Sequence, residues 1–180
     1  MRKFYTLLGI FSLFSAQAFS ASKCEINVDF VTNAKEKQQV IPASKDVSIY
    51  IKQMLAVHSS SGVKIASNAI CQKLSGASYT GSEQEWQSFI SSAVNGLLKA
   101  NYTDLQITMV GEDDKVYQGK LAHKEYIFTG SVPGNKQHIY NLAVLDKSNN
   151  TVYTMSVSGN ERAVREVKSE FSRLIKSFKL

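Results

Sequence analysis

The chain has 180 residues, with 21 Lys and Arg against 15 Asp and Glu, and two cysteines. This length suits one domain with a proper hydrophobic core. A net charge of +6 falls short of the dense basic face that nucleic-acid binding needs.

The first residues, Met1-Arg2-Lys3, are positive, and an apolar run follows from Phe4 to about Phe14. That run is shorter than the roughly 20 apolar residues of a membrane span. Ala16-Gln17-Ala18 is a small-residue cleavage pattern, and Ala18-Phe19-Ser20 is a second. Together these read as a secretory signal peptide over residues 1–20, cleaved near residues 18–20, with one α+β domain over 21–180. Lys23 stands directly before Cys24, where a lipoprotein signal needs a small residue, so no lipid anchor is expected. The mature protein should be soluble and periplasmic or secreted, with no stable membrane anchor. Losing Arg2 and Lys3 leaves a net charge of about +4.

In an oxidising compartment Cys24 and Cys71 should form one disulfide. It would close a loop of about 48 residues. No C-x-x-C or H-x-x-x-H spacing occurs, and His58, His123 and His138 are scattered, so no metal site and no cofactor is expected.

"CEINVDFV" alternates apolar and polar residues and predicts a half-buried strand, with Cys24 on the inner face. "TNAKEKQQVIPASKD" reads as a loop. "VSIYIKQMLAV", Val47 to Val57, fits either period, and its β-branched content favours a strand. "HSSSG" predicts a turn. Val63, Ala66, Ile70 and Leu74 fall near helical spacing and Gly76 suits a helix stop, which predicts a short helix over about Ser67 to Ser75.

The clearest element follows. Trp86, Phe89, Ile90, Ala93, Val94, Leu97 and Leu98 form one apolar stripe of a helix, opened by a Ser82/Glu85 capping box. "DLQITMV", "VYQGKLAHKEYIFTGSV", "HIYNLAVLD" and "TVYTMSVSG" then read as strands of an antiparallel meander, joined by short polar turns. The last segment carries a second stripe: Val164, Val167, Phe171, Leu174, Ile175 and Phe178. Ser158 and Glu161 offer it a capping box. Arg173, Lys176 and Lys179 suit the negative end of the helix dipole. A solvated basic face explains them; contact with anionic lipid or cell-wall polymer is the functional alternative. The expected fold is α+β, an antiparallel sheet packed against two amphipathic helices.

From about Ser82 to Leu180 this order of elements, with Ser177-Phe178 near its end, resembles the PsbP/DcrB-like α/β/α sandwich. The resemblance implies an exported accessory or binding protein and brings no catalytic residues. The disulfide-linked front part departs from that pattern.

Residues that could carry chemistry are few. Glu112, Asp113 and Asp114 lie in a turn too short for a Ca²⁺ loop. His123 and Glu125 share a strand face and could form an acid/base pair. "LSGASYTG" is loosely similar to the Ser-Gly…Tyr loops of bacterial periplasmic lysozyme inhibitors. Ser75 and Tyr79 would match, with Gly76 between them. The main expectation is a non-enzymatic exported protein that binds an envelope protein or cell-wall component. One alternative is an inhibitor or immunity-type protein that blocks a lysozyme-like enzyme through Ser75, Gly76 and Tyr79. Another is a small periplasmic hydrolase using His123 or His138.

Overall fold

The computed structural model describes residues 24–60 and 62–180. The signal-peptide reading of residues 1–20 lies outside them. The strands are β1 (Lys35–Pro42), β2 (Ser48–Ser60), β3 (Val63–Ser75), β4 (Thr103–Met109), β5 (Ala122–Val132), β6 (Asn135–Asp146) and β7 (Thr151–Asn160). Helix α1 (Glu83–Lys99) precedes β4, and helix α2 (Val164–Ser177) follows β7. All strands join one antiparallel sheet in the order β1-β2-β3-β7-β6-β5-β4. The α+β expectation of a sheet with two helices and one disulfide is what the chain forms.

Strand pairing sorts the side chains onto two faces, because residues alternate along each strand. One face carries Ile65, Ala69 and Cys71 of β3, Tyr153, Met155 and Val157 of β7, and Leu142 and Val144 of β6. Helix α2 covers it with Val167, Phe171, Leu174 and Ile175. Gly159 permits this approach: a Cβ there would stand 2.7 Å from Val167 Cγ2. The other face carries Tyr126, Phe128, Ile139, Ala143, Leu145 and Val152 under Trp86 of α1.

Several elements depart from expectation, each for a physical reason. The stretch from Ser67 to Ser75 is strand, part of β3, not helix. Ala66, Ile70 and Leu74 are spaced by four, which a helix face and a strand face both satisfy. The alternating burial of Ile65, Ser67, Ala69 and Cys71 decides for the strand. The predicted loop after residue 30 contains β1, an edge strand exposed throughout. Solvent on both sides leaves such a strand no hydrophobic period. The turn predicted at "HSSSG" starts later, since His58, Ser59 and Ser60 still pair with β3.

The segment Cys24–Phe30 is extended and alternates in burial as predicted, yet joins the sheet nowhere. Its one bridge is Asn27 to Lys179, beyond the end of α2. Asp29 N donates to Ser177 Oγ at 2.9 Å, and Arg173 Nη2 donates to Asp29 O at 2.7 Å. Residues 116–121 are not strand either. Val116 and Tyr117 spend their N–H groups on the Glu125 carboxylate, at 2.7–3.1 Å.

The caps also shift. Ser82 Oγ accepts from Glu85 N as a capping box requires, but the Glu85 carboxylate accepts from Gly81 N, one residue early. Ser82 N is already taken by Thr80 Oγ1. Ser158 stays in β7 and caps nothing; Asn160 caps a short 3₁₀ turn, Glu161–Ala163, that leads into α2.

Cys24 and Cys71 are disulfide-bonded with Cα atoms 5.8 Å apart, and both lie in the core. The bond ties the front segment to β3 beneath α2. Reduction, or Cys24→Ser with Cys71→Ser, should lower stability by about 2–4 kcal/mol. Urea unfolding with and without reductant measures this; equal midpoints would contradict it.

Candidate functional site

The two helices cover the sheet unequally. The hydrophobic group beneath α1 contains no residue of β1, β2 or β3. On that side these strands present Ile41, Ile51, Leu55, Val57 and Ile70 among polar neighbours. Ile41, Leu55 and Val57 are 42%, 40% and 52% exposed. Gln53 lies opposite Ile70 and donates from Nε2 to Asn68 Oδ1 at 2.9 Å. The apolar residues are thus separated by a side-chain amide pair that holds itself in place. Lys35 and Lys37 of β1 share this face, in register with Leu55 and Gln53. Neither is ion-paired among the described residues.

β2 is apolar on both faces: Tyr50, Met54 and Ala56 on one, Ile49, Ile51, Leu55 and Val57 on the other. Only the first set has α2 and its surroundings to pack against. An apolar set on each face of a strand next to the edge was the sequence signal for this open surface.

The loop from Ser75 to Tyr79 is a tied connection between β3 and α1. Asn150, in the β6–β7 turn, donates from Nδ2 to Leu74 O at 2.8 Å and Ala77 O at 2.5 Å. Its Oδ1 accepts from Tyr79 N at 2.8 Å. Gly76 has φ +81°, and a Cβ there would fall 1.8 Å from Asp46 O. Ser75 and Gly76 are exposed, while Tyr79 turns in against Phe89, with ring centroids 5.6 Å apart.

The histidines are not brought together. His123 Nδ1 lies 2.9 Å from Leu121 O, and its ring meets Tyr117 edge-on at 4.9 Å. Its Nε2 is buried without a partner. Glu125 shares the strand face but directs its carboxylate to the backbone of Val116 and Tyr117. His58 shares a shallow depression of about 360 Å³ with Arg165, Glu166 and Glu170. His138 lies in another, of about 420 Å³, with Asp104 and Thr129. His58 and His138 are three strand steps apart in one row across β2, β3, β7 and β6, or about 14 Å. The acidic turn Glu112–Asp114 is exposed, and Lys115 bonds to Glu112 at 2.5 Å, holding that carboxyl below its ordinary pKa. Among the described residues no group of three His, Cys, Asp or Glu side chains could hold a metal ion.

The charged group on the other face is structural in its bonding. Glu170 is buried on α2, accepts from Ser67 Oγ at 3.1 Å, and receives both Nε and Nη2 of Arg173 at 2.7 Å. Sequence reading placed Arg173 with the helix dipole; its guanidinium is instead fixed by this carboxylate and the Asp29 carbonyl.

No family model matches the chain, and no curated protein matches it. Among solved structures it is similar to LpqN of Mycobacterium tuberculosis, described as involved in cell envelope biogenesis. The identity is 11%, over 85% of this chain and 88% of that one, with a TM-score of 0.47.

Two outcomes follow from this geometry. Asn150→Ala removes three hydrogen bonds and places Ala where φ is +53°, so it should cost about 1–3 kcal/mol. It should also raise amide exchange around Tyr79; unchanged exchange there would contradict the tie. Burial, with Glu85 adding, pushes the Tyr79 phenol up to about 12, and burial alone pushes Tyr126 up to about 12. The folded chain keeps both protons above about pH 10, where the unfolded chain has lost them. Their contribution to stability is therefore complete below about pH 10 and is lost as pH rises towards 12. Tyr126→Phe should flatten that fall in urea titrations at alkaline pH.

Proposed function

We propose that the chain is an exported, non-catalytic binding protein of the cell envelope, and that the open face of β1–β3 receives a protein partner. The observation that carries this is the half-covered sheet: Ile41, Leu55 and Val57 stand exposed on a face of paired strands that no helix covers. Exposed apolar side chains set among polar ones, on a sheet face that no helix covers, suit a surface that a partner can cover. Lys35 and Lys37 beside them, in no ion pair among the described residues, fit a partner with apolar groups flanked by carboxylates. The leader-like start of the sequence and the buried disulfide support an oxidising compartment. The PsbP/DcrB-like resemblance of the sequence supports an accessory role.

Site-specific photocrosslinking in cells tests this. A photoreactive side chain at Leu55 or Val57 should give one discrete adduct with an envelope protein. The same group at Lys99, at the end of α1, should give none. Leu55→Glu with Val57→Glu should abolish the adduct from a crosslinker at Ile51 without lowering Tm, since both positions are exposed. Adducts of equal yield at Leu55 and Lys99, or none at the open face, would overturn the proposal.

A further inference from the structure

We infer that the solvent face of α2 is a docking surface for the anionic headgroups of a phospholipid membrane. Helix packing fixes which residues this face holds. Val167, Glu170, Phe171, Leu174 and Ile175 turn inward. That leaves Arg165, Lys168, Ser169, Ser172 and Lys176 outward, at i, i+3, i+4, i+7 and i+11. With Arg173 they line a groove of about 590 Å³.

Three features of this strip select the partner. First, every lining residue belongs to the one helix, so the groove has no second wall. It suits a flat surface better than an enclosed small molecule. Second, no carboxylate lines it, and Arg165, Lys168 and Lys176 enter no ion pair among the described residues, although Arg165 also borders the depression that holds Glu166 and Glu170. Arg173 is the exception, held by Glu170. The free cations stand on long apolar stems, separated by small serines that leave their heads unobstructed. Third, Lys176 also borders a second depression, of about 390 Å³, lined by Val116, Tyr117, Ile175, Phe178 and Leu180. Leu180 is 63% exposed. Cations therefore run directly into an apolar, aromatic rim. A bilayer interface presents phosphates above acyl chains in the same order. A soluble anionic polymer would satisfy the cations and leave Leu180 without a role.

This inference shares with the proposed function only the export of the chain, and vesicle binding in vitro requires neither export nor the open sheet face. The test is co-sedimentation of the disulfide-bonded chain, residues 21–180, with vesicles of two compositions. One is phosphatidylglycerol and phosphatidylethanolamine, the other phosphatidylcholine alone. Binding is expected to the first only, and to fall as salt rises. Lys168→Gln with Lys176→Gln should weaken it about 25-fold, from roughly fivefold per cation near an anionic surface. Leu180→Ser should weaken it while leaving the salt dependence unchanged. Leu55→Glu with Val57→Glu should bind vesicles as the parent does, which separates this surface from the partner site. Far-UV circular dichroism confirms that each variant is folded. Equal binding to both compositions, no binding to either, or retention on polyglutamate with none on vesicles would overturn the inference. So would double-Gln and Leu180→Ser variants that bind like the parent.

Discussion

The seating of α2 on β3, β7 and β6 is the contact from which the rest of the structure hangs. Val167 and Leu174 are fully buried there, against Ile65, Leu142 and Met155. Each such side chain contributes roughly 1.5–3 kcal/mol when taken out of water. The same contact organises the polar groups. Glu170 could not be buried on this face without Ser67 beneath it and Arg173 one turn on. Arg173 in turn holds Asp29 O, and Ser177 holds Asp29 N, so the front segment lies along the helix instead of joining the sheet. The disulfide closes that arrangement from below. A helix with its inner face fixed this firmly has its outer face set too, which is why Arg165, Lys168 and Lys176 fall on one side of it.

The opposite side of the sheet is built under a weaker constraint. On α1 only Trp86 is buried; Phe89, Ile90, Ala93, Val94 and Leu97 are half-buried, and Leu98, though in the predicted stripe, is 52% exposed. The helix is tied to β5 by the Glu83–Lys124 ion pair, and the hydrophobic group beneath it does not reach β3. One helix is too narrow to shield seven strands. β4 and β1, at the two edges, both leave apolar residues in water, Ile107 and Met109 on one and Val40 and Ile41 on the other. What distinguishes β1–β3 is that no helix covers them on this side of the sheet.

Legibility in the sequence followed how much of each element's environment lies within it. The stripe from Trp86 and the strands β6 and β7 were readable, because each buries a face whose period is written in its own residues. β3 was misread, since a spacing of four belongs to both periods and only its neighbours β2 and β7 settle the matter. β1 was invisible: it is held by backbone bonds to β2 and by polar pairs, Glu36 with Lys52 and Gln38 with Tyr50, and none of these leaves a hydrophobic period. Residues 116–121 looked like strand because Val116, Tyr117 and Leu121 are apolar. Their N–H groups went to a carboxylate several residues away, a choice that local sequence does not record. The open face was half legible. The doubly apolar character of β2 is in the sequence, but which face lacks a cover depends on where α1 comes to rest.

The two surfaces lie on opposite sides of one sheet, and this has a geometric consequence. α2 packs on the face of Ala69 and Cys71; the open residues Leu55, Val57 and Ile70 are on the other. An antiparallel sheet with every strand paired is stiff across its width, so the two surfaces cannot fold towards one another. A chain resting on a membrane through Arg165, Lys168 and Lys176 would hold Leu55 and Val57 away from it, facing the surrounding solution. Neither occupant would displace the other, and no conformational change would be needed between the two contacts. The disulfide bears on both: it anchors the segment that Arg173 and Ser177 hold against α2, and it is attached to the same strand, β3, that carries Ile70 on its reverse side. The stiffness that keeps the two surfaces apart thus comes from the same core that gives the chain its fold.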